Sequence, residues 1–77
     1  MGDFWEDRHR RAWQLLMYAI EHNNDRWCLE KAAEIIEELI VENPHPKEYM
    51  PHLFKNLGIT YARLGKGKVS VDLIKRI

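Results

Sequence analysis

Cysteine is almost missing from this chain. Cys28 stands alone among 77 residues, which excludes an internal disulfide and fits a reducing compartment. Long hydrophobic runs are missing too, and no stretch reaches the roughly 18 apolar residues that a membrane-spanning helix needs. The opening Met1-Gly2-Asp3-Phe4-Trp5-Glu6 carries two acids and no basic start to an apolar run, so it does not read as a signal peptide. Myristoylation at Gly2 is rejected, because that motif wants Ser or Thr where Glu6 stands. These absences point to a cytoplasmic protein. Net charge is also absent, with twelve basic residues against twelve acidic ones.

What is present is apolar and charged in nearly globular proportions, 45% hydrophobic and 31% charged. Seventy-seven residues make one domain spanning 1–77, at a size where only about 60% of the unfolded surface can be buried. The zero net charge hides an asymmetry. Residues 1–42 hold ten acids against five bases, and residues 43–77 hold seven bases against two acids. A chain polarised in this way favours association with a partner of opposite polarity, a second copy included.

Helical periodicity runs through the whole sequence, and no strand pattern competes with it. A first helix is expected over 3–22, where Trp5, His9, Ala12, Trp13, Leu16, Ala19 and Ile20 recur at helical spacing. Asn23-Asn24 ends it. Asp25 is the expected N-cap of a second helix whose apolar stripe is Leu29, Ala32, Ala33, Ile36, Leu39 and Ile40. Asn43-Pro44-His45-Pro46 stops that helix, because proline supplies no N–H and pushes the preceding residue out of helical geometry. A third helix is expected over 47–64, with Met50, Leu53, Phe54, Leu57, Tyr61 and Leu64 on its apolar side and Pro51 in its first turn. After Gly65-Lys66-Gly67, Ser70 caps a short fourth helix carrying Val71, Ile74 and Ile77. The fold class is therefore all-α, four helices in antiparallel pairs joined by short turns, the last helix short.

One motif stands out within this pattern. In Leu57-Gly58-Ile59-Thr60-Tyr61-Ala62-Arg63-Leu64-Gly65, a glycine inside a good helix costs about 1 kcal/mol relative to alanine, and close packing is the usual compensation. Phe54, Leu57, Gly58 and Tyr61 resemble the first helix of a tetratricopeptide repeat, a family of helical hairpins about 34 residues long. Ser70 and Ile74 fall where that family's second helix carries a small residue and an aromatic. The segment 29–39, with Ala32 and the closing Pro44, is similar to the second helix of a preceding repeat. Its own first helix departs, offering Ala19, Ile20 and Asn23 in place of leucine, glycine and tyrosine. The resemblance covers residues 29–65 and implies about two repeats.

The same resemblance implies interaction without chemistry. In the family the first helix of each hairpin lines a groove for peptides, which here assigns partner contacts to Gln14, Met17, Tyr18 and Glu21 and to His52, Lys55, Asn56, Ile59 and Arg63. Lys55 with Asn56 resembles part of the family's carboxylate clamp, but Glu21 and Ile59 stand where asparagine is wanted. Large residues such as Trp13, Trp27, Phe54 and Tyr61 are expected to fill the gaps between hairpins. Two repeats leave end faces uncovered, and three tryptophans exceed what so small a core covers, so a homodimer is the expected partner state.

Sharper chemical readings fare worse. Arg8-His9-Arg10-Arg11 invites a nucleic-acid contact, the alternative function, yet Asp3, Glu6 and Asp7 stand one turn before it and favour a salt-bridged wet face. The basic residues Lys66, Lys68, Lys75 and Arg76 lack interleaved aromatics. Gly65-Lys66-Gly67-Lys68 lacks the spacing of a phosphate loop. His9, His22, His45 and His52 include no pair at i, i+4, and with Cys28 they make no metal-ligand set. No nucleophile, base and orienting acid occur together, so neither an enzyme nor a cofactor is expected.

Overall fold

The computed structural model describes residues 4–65. Among them there is no strand, and three α-helices form the fold: α1 (Trp5–Glu21), α2 (Arg26–Glu42) and α3 (Met50–Arg63), with a 3₁₀ turn at Lys47–Tyr49. The fourth helix expected from Ser70 lies outside the described residues.

Each helix stops where local chemistry says it must. Phe4 precedes α1 in extended geometry, and its carbonyl accepts from the N–H groups of Asp7 at 3.0 Å and Arg8 at 3.1 Å. Glu6 and Asp7 occupy the first turn, where carboxylates complement the positive end of the helix dipole. At the other end Asn23 and Asn24 both take left-handed backbone angles, φ 58°, which asparagine tolerates better than other side chains. The chain is thereby turned back, and the Asn24 N–H donates to the Ala19 carbonyl at 2.7 Å. Asp25 then caps α2, its carboxylate accepting from the Cys28 N–H at 3.0 Å. At the far end of α2, left-handed Asn43 (φ 54°) donates its N–H to the Leu39 carbonyl at 2.9 Å, and the buried His45 ring donates Nε2–H to the same oxygen at 3.1 Å.

The third helix begins three residues later than its periodicity suggests. Proline at 51 has no N–H to offer the Lys47 carbonyl, and its ring clashes there, so α geometry cannot run through 47–50. The chain closes a tighter turn instead, with the Tyr49 N–H on the Pro46 carbonyl at 2.9 Å, and the α-helix takes over at Met50.

The helix in the middle is α2, which packs on both α1 and α3. Arg8 near the start of α1 reaches Glu42 at the end of α2, while Arg63 at the end of α3 reaches Asn24 in the turn before α2. Both neighbours therefore run opposite to α2. Its apolar stripe, Cys28, Leu29, Ala32, Ala33, Ile36 and Leu39, is buried along its full length. Ala12, Leu16 and Ala19 of α1 and Leu53 and Leu57 of α3 complete the core. Gly58 is buried on α3, and the Thr60 hydroxyl, also buried, donates back to the Asn56 carbonyl at 2.8 Å. No buried side-chain nitrogen or oxygen among the described residues lacks a hydrogen-bond partner.

Two expected gap-fillers are not in the core. Trp13 remains 43% exposed and Trp27 62% exposed, whereas Phe54 and Tyr61 are half-buried. The physical reason is register: Ala12 takes the buried stripe of α1 and Cys28 and Leu29 that of α2, so Trp13 and Trp27, one position off those stripes, ride on the surface.

Two substitutions test this packing. Gly58→Leu places a large side chain on a buried backbone and is expected to destabilise by about 1–3 kcal/mol through overpacking, read as a lowered thermal midpoint; an unchanged midpoint rules out close packing at Gly58. Asp25→Ala removes the cap of α2 and is expected to cost about 1 kcal/mol in denaturant titration, with an unchanged slope.

Candidate functional site

The richest cluster of polar and aromatic side chains lies where α1 faces the 3₁₀ turn and the first half of α3. Trp5, His9 and Trp13 stand at i, i+4 and i+8, so one flank of α1 presents two indoles and an imidazole in line. Tyr49, delivered by the 3₁₀ turn, fits among them: its ring meets Trp5 edge-on at 4.5 Å and His9 at right angles at 5.2 Å. His45 lies 6.0 Å from Tyr49 and 5.9 Å from Trp5, and His52 lies 5.3 Å from Tyr49. The edge-on contacts, Trp5 with His45 and Tyr49 and His9 with Tyr49, suit the ring quadrupoles.

His9 is the centre of this cluster. It is buried, with Nδ1 bonded to the Tyr49 hydroxyl and Nε2 accepting from the Asn56 amide at 2.9 Å. With Nε2 an acceptor, the ring proton sits on Nδ1 and is donated to the Tyr49 oxygen. Burial, helped by the nearby His52 and His45 rings, holds the His9 pKa below the ordinary imidazole value of 6.5. The Tyr49 phenol is pushed up, first by burial and then by the Glu6 carboxylate. Three histidines gather here, yet no group of three or more His, Cys, Asp or Glu among the described residues could hold a metal ion.

Beside His9 opens a cleft of about 340 Å³ lined by Trp5, Glu6, Trp13, Tyr49 and Asn56, with Arg10 at its lip. A second, shallower depression of about 360 Å³ lies on a different side of α1, between Arg11, Gln14, Leu15, Tyr18 and Cys28. Burial pushes the Cys28 thiol up, and the Asp25 carboxylate beside it adds to the effect, so this sulfur is the neutral thiol.

Three of the nine residues assigned to partner contact line one or other of these two surfaces. Asn56 lines the cleft and holds His9, and His52 stands next to Tyr49. Met17 and Ile59 are half-buried against the core. Gln14 and Tyr18 belong to the second depression, Tyr18 stacked on His22 at 3.8 Å. Glu21 and Lys55 are exposed, and Arg63 donates to the Asn24 side chain at 3.1 Å.

The basic cluster at 8–11 is divided. Arg8 makes a two-pronged contact with Glu42, at 2.9 and 3.0 Å, and approaches Glu38 at 3.6 Å; Arg10 pairs with Asp7 at 3.1 Å. The Arg8 hydrogen bonds hold the Glu42 carboxyl below its ordinary value. Only the Arg10 pair is the local one expected from spacing, since Arg8 reaches across to another helix.

Trp5, His9 and Tyr49 escape the partner set because the family resemblance supplies only groove positions. The i, i+4, i+8 run of Trp5, His9 and Trp13 is the sequence signal that marks the cleft. Comparison with family models, with curated proteins and with solved structures finds no match for this chain.

The buried neutral His9 makes stability depend on pH. Unfolded, an imidazole takes up its proton near 6.5; folded, His9 resists until a lower pH, so the unfolded chain binds more protons in that window. Stability is complete above about 6.5 and falls as pH drops from there toward the lowered His9 value. Glu42 acts in a separate, more acid range, its contribution being lost only as pH falls below 4.5. Thermal midpoints of the wild type are expected to fall between neutral and mildly acidic pH, and those of His9→Gln to stay flat there. An equally steep fall in the variant refutes the assignment to His9.

Proposed function

We propose that this chain is a non-enzymatic protein-interaction module, built as tetratricopeptide-like helical hairpins, that associates with itself through exposed faces. The observation that carries the proposal is the exposure of Trp27 and Trp13, with Phe4, Tyr18 and Val41 also exposed, in a structure whose described buried polar atoms are all paired. Surface tryptophan is costly to leave in water and is enriched at the centres of protein interfaces. The short turns, the alanines of α2 and the buried Gly58 support the hairpin part of the reading. The absence of catalysis is supported by the neutral, buried Cys28 and by a His9 whose two ring nitrogens are both engaged, leaving neither free to move a substrate proton.

Trp27 and Val41 belong to one outward stripe of α2 with Lys31, Glu34 and Glu38, at spacings of four and three. This stripe is apolar at its two ends and charged between them, and Lys31 places its ammonium 5.9 Å from the Trp27 ring centre. A second copy laid antiparallel along it sets Trp27 against Val41 and Lys31 against Glu38, twice, about a two-fold axis, as isologous interfaces require.

Sedimentation velocity tests the proposal. The wild type is expected to dimerise at high micromolar concentration and Trp27→Ser to remain monomeric with an unaltered thermal midpoint. A folded wild-type monomer at that concentration, unmoved by salt, overturns self-association.

A further inference from the structure

We propose that the cleft between α1 and the start of α3 receives the cationic side chain, lysine or arginine, of a protein partner; this rests on the interaction-module reading above. Three aromatic residues line the cleft, Trp5, Trp13 and Tyr49, and a charged nitrogen gains most from the negative face of such rings within about 6 Å. Trp13 makes no ring contact with any described residue, so its face is open to a ligand, whereas Trp5 and Tyr49 brace one another edge-on.

The charges at the cleft select the sign of the ligand. Glu6 forms no ion pair with a described residue, and its field reaches Tyr49, whose phenol it helps to push up. The one cation at the lip, Arg10, has its guanidinium drawn onto Asp7 at 3.1 Å. His9 at the back spends both ring nitrogens on Tyr49 and Asn56, so it offers a ligand no hydrogen bond and, unprotonated, no charge. Across the cluster, His45 is turned to the Leu39 carbonyl and His52 sits beyond Tyr49. The chamber therefore combines aromatic faces with an unneutralised carboxylate, which suits a cation and repels an anion. Its volume, about 340 Å³, accommodates an aliphatic stem and a charged head. The chain already shows the contact once, with the Lys31 ammonium over Trp27 on another surface.

The test is a titration followed by the indole N–H signals in NMR, using N-acetyl-lysine methylamide and N-acetyl-arginine methylamide as probes. The uncharged norleucine and the anionic glutamate analogues serve as controls, and choline serves as a free organic cation. The Trp5 and Trp13 signals are expected to shift saturably with the two basic probes and to stay put with norleucine and glutamate. Glu6→Gln is expected to weaken binding about threefold, the scale of one exposed charge pair, and Trp13→Ala to abolish it; both positions are exposed, so the remaining spectrum should be retained. Arg10→Gln should leave binding unchanged or tighten it. Equal response to norleucine, a response to glutamate, an unaltered affinity in Glu6→Gln or a loss in Arg10→Gln each overturns the proposal. Choline binding more tightly than both basic amino-acid probes overturns the protein source of the cation. Each of these failures leaves the sedimentation result standing, so the cleft and the self-association are judged separately.

Discussion

Everything in this fold depends on α2 being able to bury two flanks at once. A helix between two antiparallel neighbours must be slim along its axis, and Ala32 and Ala33 at its middle let α1 and α3 approach while Leu29, Ile36 and Leu39 fill the space above and below them. The polar remainder of α2 is then a narrow strip of glutamates, and several of these are tied to other residues: Glu42 and Glu38 to Arg8, Glu37 to the Tyr61 hydroxyl, Glu30 to Arg26 and Glu34 to Lys31. The Tyr61 phenol, half-buried and bonded to Glu37, is pushed up to about 12 by burial first and by the carboxylate second. Glu38 and Glu42 thereby reach α1 and Glu37 reaches α3, whereas the Glu30 and Glu34 pairs stay within α2.

Register sends the large aromatics outward. Trp13 and Trp27 fall one position off the buried stripes of α1 and α2, where smaller residues such as Ala12 and Cys28 take the core places. In a chain this short, a core of small and aliphatic residues and a sticky exterior are two results of one sequence pattern, and the interaction proposal follows from that coupling more than from any motif.

Helix content was legible because it is carried by local signals. Asp25, Asn23-Asn24, Asn43-Pro44 and Pro51 each act within five residues of themselves, and each acts where it stands in the structure. The start of α3 was less legible, since apolar periodicity extends back across Lys47–Tyr49 while the clash that prevents α geometry comes from Pro51, further along the chain. The cleft was least legible. Tyr49 meets His9 across 40 residues and Asn56 meets it across 47, separations over which spacing rules say nothing. Arg8 shows the same limit: its neighbours in sequence promise a local pair, and the two-pronged bond to Glu42 arises only once α1 and α2 lie side by side. The repeat-family resemblance supplied groove positions alone, of which Asn56 lines the cleft and His52 stands beside Tyr49, and so it left out Trp5, His9 and Tyr49.

The turn between α1 and α2 holds one more consequence. Asn24 satisfies two demands at once, a left-handed backbone and a side-chain oxygen for Arg63. Glycine meets the first demand and fails the second; glutamine or serine meets the second only with a backbone penalty. Only asparagine and aspartate meet both. An exposed loop position, ordinarily the freest kind to drift, is therefore among the narrowest in this chain, and natural variation at residue 24 should be confined to those two side chains even where the surrounding surface has changed beyond recognition.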